Sequence, residues 1–348
     1  MKGNKLKRFL TRLLTCVSLS FMTLSAQADT KPSELEKQQT NIQKNLPFIV
    51  TPAKDFQAQT VEISGLSVWA SPNKCILTVL TGKSNVEGYL LNKIYSNTEN
   101  LDAYYLKLSK HDGLEPQTIT KEEKVKLKDG KEITVYESNQ TIQKQKFVFW
   151  DAFYQNDDTY ATLLLQCAAP GMSDSQGLAI FSSVKPQTVT PLADDIKALP
   201  FKVTISQPYY VAYASTTAPQ FASVAIKQAI EQINQWPETE IFINYDAGPY
   251  ANLTEFINKS PIAEQFQIKE RSKKQNITKN AAQNNDNANN KVYIFDEQDG
   301  KNSSVIYLKR SYKGEVIVTT AITNTDKISL YRPIVDKIND SIEFLNTK

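Results

Sequence analysis

Lys146 to Tyr154 is mainly apolar on both of its alternating faces, which carry Phe147, Phe149, Asp151 and Phe153 on one side and Val148, Trp150, Ala152 and Tyr154 on the other. A strand that is apolar on both faces is covered on both, which predicts an interior strand of a layered fold. Gln155 to Thr159 turns the chain back, and Tyr160 to Cys167 is an equally apolar run. Upstream, Val61 to Trp69 and Cys75 to Thr81 read as extended. Leu101, Tyr104, Tyr105 and Leu108 recur at three- and four-residue spacing, predicting a helix over Thr98 to Ser109 with Thr98 as its N-cap. Asp129-Gly130 separates Lys124–Lys128 from Glu132–Ser138 and predicts a hairpin turn.

The second half repeats the theme. Phe201 to Ile205 and Tyr209 to Tyr213 are extended, and Pro208 between them predicts an edge or a bend. Pro219 opens a predicted helix with Ala222, Ile226, Ala229, Ile230 and Ile233 on one face, stopped by Trp236-Pro237. Glu240 to Asn244 is extended, and Leu253, Phe256 and Ile257 mark a short helix. Lys291–Phe295, Ser304–Tyr312 and Glu315–Thr323 form a predicted meander, turning at Asp299-Gly300 and Lys313-Gly314. A terminal helix carries Tyr331, Ile334, Val335, Ile338, Ile342 and Leu345 along one stripe.

Pro186, Pro191 and Pro200 break the apolar patterning between the halves. The predicted organisation is therefore a polar lead over 29–46, a first α+β domain over 47–185, a linker over 186–199 and a second α+β domain over 200–348. Asn280 to Asn290, rich in Asn and Ala, reads as a long loop inside the second domain.

Three segments of the second half appear in a telling order: Asn252-Leu253-Thr254-Glu255-Phe256-Ile257, strands around Lys291–Phe295 and Ile306–Arg310, and a closing Ser341-Ile342-Glu343-Phe344-Leu345. This order resembles the Mog1/PsbP-like fold. Thr98-Glu99-Asn100-Leu101 and Phe147-Val148-Phe149-Trp150 offer a similar series in the first half, where no terminal helix is evident after Phe181. The resemblance implies tandem α/β/α sandwiches, α+β in class with mainly antiparallel sheets, and a history of binding proteins rather than catalysing reactions. It carries over no functional residues, since that family has no invariant catalytic motif.

Met1 to Ala28 changes the picture of charge and compartment. Lys2, Lys5, Lys7, Arg8 and Arg12 precede an apolar run from Leu13 to Leu24, and Ala26-Gln27-Ala28 supplies a small-x-small cleavage pattern. This is the form of a secretory signal peptide cleaved after Ala28, with periplasmic or secreted destination. The apolar run falls short of the roughly 20 residues that span a bilayer, so no stable membrane insertion is expected after cleavage. Removing the leader's five basic residues from 40 leaves 35 Lys plus Arg against 37 Asp plus Glu, a net charge of −2. A near-neutral surface offers no general attraction for phosphate backbones, and no nucleic-acid partner is expected. The local run Lys269, Arg271, Lys273, Lys274 and Lys279 sits among Gln and Asn and reads as a solvated loop. Cys16 lies in the leader, preceded by Thr15 where a lipobox wants Gly or Ala. Cys75 and Cys167 remain, and in an oxidising compartment they are predicted to pair.

Candidate chemistry is sparse. His111, the only histidine, stands beside Asp112 and Gly113 in the pattern of a helix C-terminus, with Gly113 as the capping glycine. Asp151, Asp157 and Asp158 surround one turn, and Asp296, Glu297 and Asp299 precede another, without the ligand spacing of an EF-hand. No nucleophile elbow, phosphate loop or dinucleotide fingerprint is present. No catalytic residue, metal site or cofactor is therefore expected. Tyr209, Tyr210 and Tyr213 form the candidate interface, because phenols at a sheet edge can face water while their rings stay packed. The pattern points to a non-enzymatic exported protein that binds another envelope protein, as an accessory or assembly factor of a secretion or cell-envelope complex. The alternatives are a periplasmic hydrolase with a carboxylate site and a small-ligand-binding protein.

Overall fold

The computed structural model describes residues 46–59, 65–112, 114–217, 220–229, 239–273, 290–296 and 302–345. The leader, the polar lead up to residue 45, Gly113, the Asp299-Gly300 turn and all but the last residue of the Asn280–Asn290 loop lie outside them. The fold is α+β, and it divides into two compact units, one ending at Val189 and the other starting at Thr190.

The first unit runs β1 (Phe48–Ile49), β2 (Gln57–Gln59), β3 (Leu66–Ala70), β4 (Cys75–Gly82), α1 (Asn85–Ile94), α2 (Thr98–Asp112), β5 (Thr118–Lys126), β6 (Glu132–Ile142), β7 (Gln145–Asn156), β8 (Thr159–Ala168), α3 (Asp174–Ser182) and β9 (Lys185–Pro186). Its sheet is antiparallel in the order β2-β3-β4-β8-β7-β6-β5, and β1 pairs separately with β9. As the alternation predicted, β7 is an interior strand. Trp150, Ala152 and Tyr154 join Leu77, Leu163 and Leu165 in one core, while Phe147 and Phe149 pack with Leu164 on the opposite face. The hairpin turn holds too, with Gly130 at φ +87° and Lys131 N donating to Asp129 Oδ1. Helix α2 buries Leu101, Tyr105 and Leu108, but its cap is Asn97, whose Oδ1 accepts from Asn100 N at 2.8 Å, one residue before the predicted Thr98. The helix that closes this half lies earlier than the stretch after Phe181: α3 ends at Ser182 and buries Ile180 and Phe181, and β9 follows it.

The second unit runs α4 (Leu192–Lys197), β10 (Phe201–Lys202), β11 (Tyr209–Thr217), β12 (Phe221–Gln228), β13 (Thr239–Asp246), α5 (Leu253–Lys259), α6 (Pro261–Gln265), α7 (Ile268–Lys273), β14 (Asn290–Asp296), β15 (Asn302–Arg310), β16 (Val316–Asn324), α8 (Ile328–Asp340) and β17 (Glu343–Phe344). Its sheet order is β11-β12-β13-β16-β15-β14, again antiparallel, and β10 pairs with β17.

Three expectations change here. The helix predicted from Pro219 is the strand β12, whose Ala222, Val224 and Ile226 are buried in alternation. Spacing of four had linked Ala222 to Ile226, but Val224 between them carries the period of two, and pairing with β11 and β13 decides the conflict. Lys269, Arg271 and Lys273 lie on helix α7 rather than in a loop. The terminal helix stops at Asp340, because Glu343 and Phe344 turn away to pair with Lys202 and Phe201.

Both units share one order of elements. After α4, which the second unit adds at its start, each runs a short strand, three antiparallel strands, a helical layer, a meander and a helix, and ends on a strand that pairs with the short one. Strand β5 is the addition of the first unit, set at its edge.

Candidate functional site

Direct pairing partners in an antiparallel sheet point the same way, so register assigns each face of the first sheet. Cys75, Leu77, Val79, Val135, Trp150, Ala152, Leu163, Leu165 and Cys167 lie on one face, with Phe181 of α3 in the same core. The opposite face carries polar groups beneath α1 and α2. Asp151 is paired with Tyr136 on β6 and Leu164 on β8, and the pairing continues to Thr78 on β4.

Asp151 has no solvent exposure. Tyr95, the C-cap of α1, donates its hydroxyl to Oδ1 at 2.6 Å, and Tyr105 of α2 donates to Oδ2 at 3.0 Å. Tyr136 donates to the Tyr95 carbonyl at 3.2 Å. One carboxyl therefore joins both helices to the sheet. Burial pushes its pKa up to about 7, against the opposing pull of the two phenols and the Ala152 N–H. Both phenols are held well above their usual range, first by burial and then by Asp151. Ser138 Oγ is fully buried against the Tyr105 hydroxyl and acts on it as a hydrogen-bonding neighbour.

The topologically matching layer of the second unit is mainly apolar, with Thr320 buried opposite Ile306. Leu253, Phe256, Ile262 and Ile268 close over Ile306, Leu308, Val316 and Val318. Among the described residues of this unit the buried acid is Asp246 at the end of β13, where Oδ2 accepts from Tyr250 at 2.8 Å and Ser260 at 2.5 Å, and Oδ1 accepts from Gly248 N at 3.1 Å. Asp246 thus organises a loop, whereas Asp151 sits in the middle of a sheet.

The aspartates grouped in sequence do not converge. Asp157 and Asp158 are exposed at the β7–β8 turn, and Asp151 is sealed within the sheet. Asp296 ends β14, while Glu297 and Asp299 lie outside the described residues. His111 lies in the last turn of α2, and its capping partner Gly113 is not described. Among the described residues no group of His, Cys, Asp and Glu could hold a metal ion, and no helix is long and apolar enough to cross a membrane. The depression lined by Lys121, Glu137, Trp150, Asp174 and Leu178 has about 170 Å³ of space, open solvent included, well below the ~300 Å³ at which ligand pockets begin.

Cys75 and Cys167 are disulfide-bonded, with Cα atoms 4.1 Å apart. Tyr209, Tyr210 and Tyr213 all lie on β11, the edge strand of the second sheet. Tyr209 is buried; Tyr210 and Tyr213 are half-buried. A bulge falls between Val211 and Tyr213, and α4 packs against the strand with Ile196 exposed.

No protein-family model matches the chain, and no curated protein matches it. It is similar to a structure from Bacteroides thetaiotaomicron VPI-5482, at 9% identity and TM-score 0.27, over 45% of this chain and 49% of that one. The chain thus spans about half the length of that protein. PsbP (CyanoP) from Synechocystis sp. PCC 6803 is 14% identical with TM-score 0.31, over 40% of this chain and 87% of that one. The MucA/MucB complex of Pseudomonas aeruginosa is 10% identical with TM-score 0.23, over 91% and 99% of the two chains.

Proposed function

We propose that the protein is a non-enzymatic exported protein, built from a tandem pair of Mog1/PsbP-like units, that binds another envelope protein along strand β11. The observation that carries this reading is the contrast between sheet edges. Strand β5, at the edge of the first sheet, is blunted by Lys121, Glu122, Glu123, Lys124 and Lys126. Charges of this kind are how sheets prevent edge pairing. Strand β11 is nine residues long, contains no charged residue, and has β12 as its one strand neighbour among the described residues. An uncharged edge is a template for an added strand, with main-chain bonds supplying affinity and flanking side chains selectivity. Half-buried Tyr210 and Tyr213 on the strand, and exposed Ile196 on the helix α4 that packs against it, are the flanking groups.

Export and cleavage after Ala28 rest on the leader pattern, and the Cys75–Cys167 bond supports an oxidising compartment. The sealing of Asp151 supports a non-enzymatic reading, because no substrate reaches a carboxyl without exposure. Crosslinking in intact cells, followed by affinity purification and mass spectrometry, tests the proposal. A discrete envelope protein should be recovered with the native chain and lost with Ser215→Lys, which places a charge on the edge. Recovery of no specific protein, or equal recovery with both chains, would overturn it.

A further inference from the structure

We propose that Asp151, Tyr105 and Ser138 form a proton-operated clasp that holds the α1–α2 layer on the first sheet when the carboxyl is neutral and loosens it when the carboxyl ionises. Three structural facts carry this. The acid is not demanded by the architecture, since the middle of the matching layer in the second unit is built from Ile306, Leu308, Val318 and the neutral Thr320. It is the shared anchor of two separate helices, through Tyr95 and Tyr105. A second partner for Tyr105 also lies within the layer, because Ser138 Oγ is fully buried against its hydroxyl.

The two protonation states use the same atoms differently. In the ionised state the carboxylate accepts from both phenols, the arrangement described above. In the neutral state the carboxyl O–H needs an acceptor. Tyr105, at the longer of the two distances, can accept that proton's bond and direct its own hydroxyl to Ser138 Oγ, so the carboxyl proton and the Tyr105 hydroxyl are both paired. Ionisation leaves a charge in a dry layer, which opening to water relieves.

Among the described residues no cation acts on that charge. Tyr95 faces it from the end of α1, Tyr105 from α2, Tyr136 from β6 and Leu164 from β8, and Tyr104 of α2 acts on both phenols that bind it. Two acids act on this network's surroundings: Glu122 of β5 on Tyr136, and Glu87 of α1, which accepts from Tyr160 of β8 at 2.7 Å. Lys107 of α2 is lowered to about 8 by burial, not by this carboxyl.

Burial holds the closed-state pKa above the open-state one, so the neutral clasp is tightest in acid and opening rises with pH between about 4 and 7, then levels. Hydrogen exchange of the full chain, corrected for intrinsic rates, reads this directly. Amides of α1 and α2 should open up to about tenfold more per pH unit between pH 5 and 7, relative to amides of β8. Asp151→Asn should abolish that slope. Tyr95→Phe, which removes the shorter of the two bonds donated to the carboxylate and keeps the ring, should move the levelling point to higher pH. A native chain with no slope, or a slope unchanged in Asp151→Asn, would sink the proposal, as would an unmoved levelling point in Tyr95→Phe.

Discussion

Cys75 and Cys167 are direct register partners across β4 and β8, so their disulfide joins two strands that are already paired but stand 92 residues apart in sequence. The strands between them, β5 to β7, and the helices α1 and α2 all lie within the closed loop. The crosslink limits the freedom of the central part of the first unit when unfolded, with β1 to β3, α3 and β9 outside the loop.

Loss of this bond should therefore cost roughly 4 kcal/mol, the chain-entropy value for a loop of this length. Urea denaturation with and without reductant measures it. A Cys75→Ser, Cys167→Ser double variant should match the reduced native chain and show no response to reductant.

Stability of the first unit should fall as pH rises from about 4 to 7. The folded state keeps Asp151 protonated up to about pH 7, while the unfolded chain releases that proton near 3.8. The unfolded state then holds fewer protons throughout this window, and the contribution amounts to as much as about 4 kcal/mol. Denaturation of Asp151→Asn at pH 5 and 7.5 should give closely similar midpoints, where the native chain gives different ones. Asp151→Ala should be destabilised at both, because Tyr95 and Tyr105 lose their acceptor within a dry layer.

Asp246 is a structural counterpart with a different consequence. Replacing it by Ala strands the Tyr250 and Ser260 hydroxyls and the Gly248 N–H together, at a cost of about 2–4 kcal/mol. Tyr250→Phe removes one bond and should cost about 1 kcal/mol. Thermal unfolding of the two variants side by side checks the ratio.

Gly82 should tolerate no side chain. A Cβ there would lie 2.3 Å from the Tyr160 ring, whose hydroxyl donates to Glu87 on α1. Gly82→Ala should destabilise more than Tyr160→Phe, which gives up that bond without a clash. Denaturant midpoints of both variants decide it.

How far the sequence was legible varied with the physics at each place. Strand β7 could be read because both of its faces are apolar, a pattern no amphipathic helix produces, and the Asp129-Gly130 hairpin because its turn chemistry is local. Strand β12 could not, since a run of eight residues satisfies periods of two and nearly four at once, and its neighbours choose between them. Helix α3 escaped notice because its buried residues, Gly177, Ile180 and Phe181, make too short a stripe. At the candidate site, Asp151 stood out as a polar interruption of an apolar face. Its partners Tyr95 and Tyr105 were hidden, since contacts made 56 and 46 residues away follow from topology and not from spacing.

The account turns on the uncharged edge strand of the second unit serving as the docking surface, and a photo-crosslinking residue placed at Tyr213 tests this most directly, with the same group at Glu123 on the charged edge as comparison. In intact cells the proposal predicts one discrete adduct with an envelope protein from position 213 and none from 123. No adduct from position 213, or the same adduct from both, would contradict it.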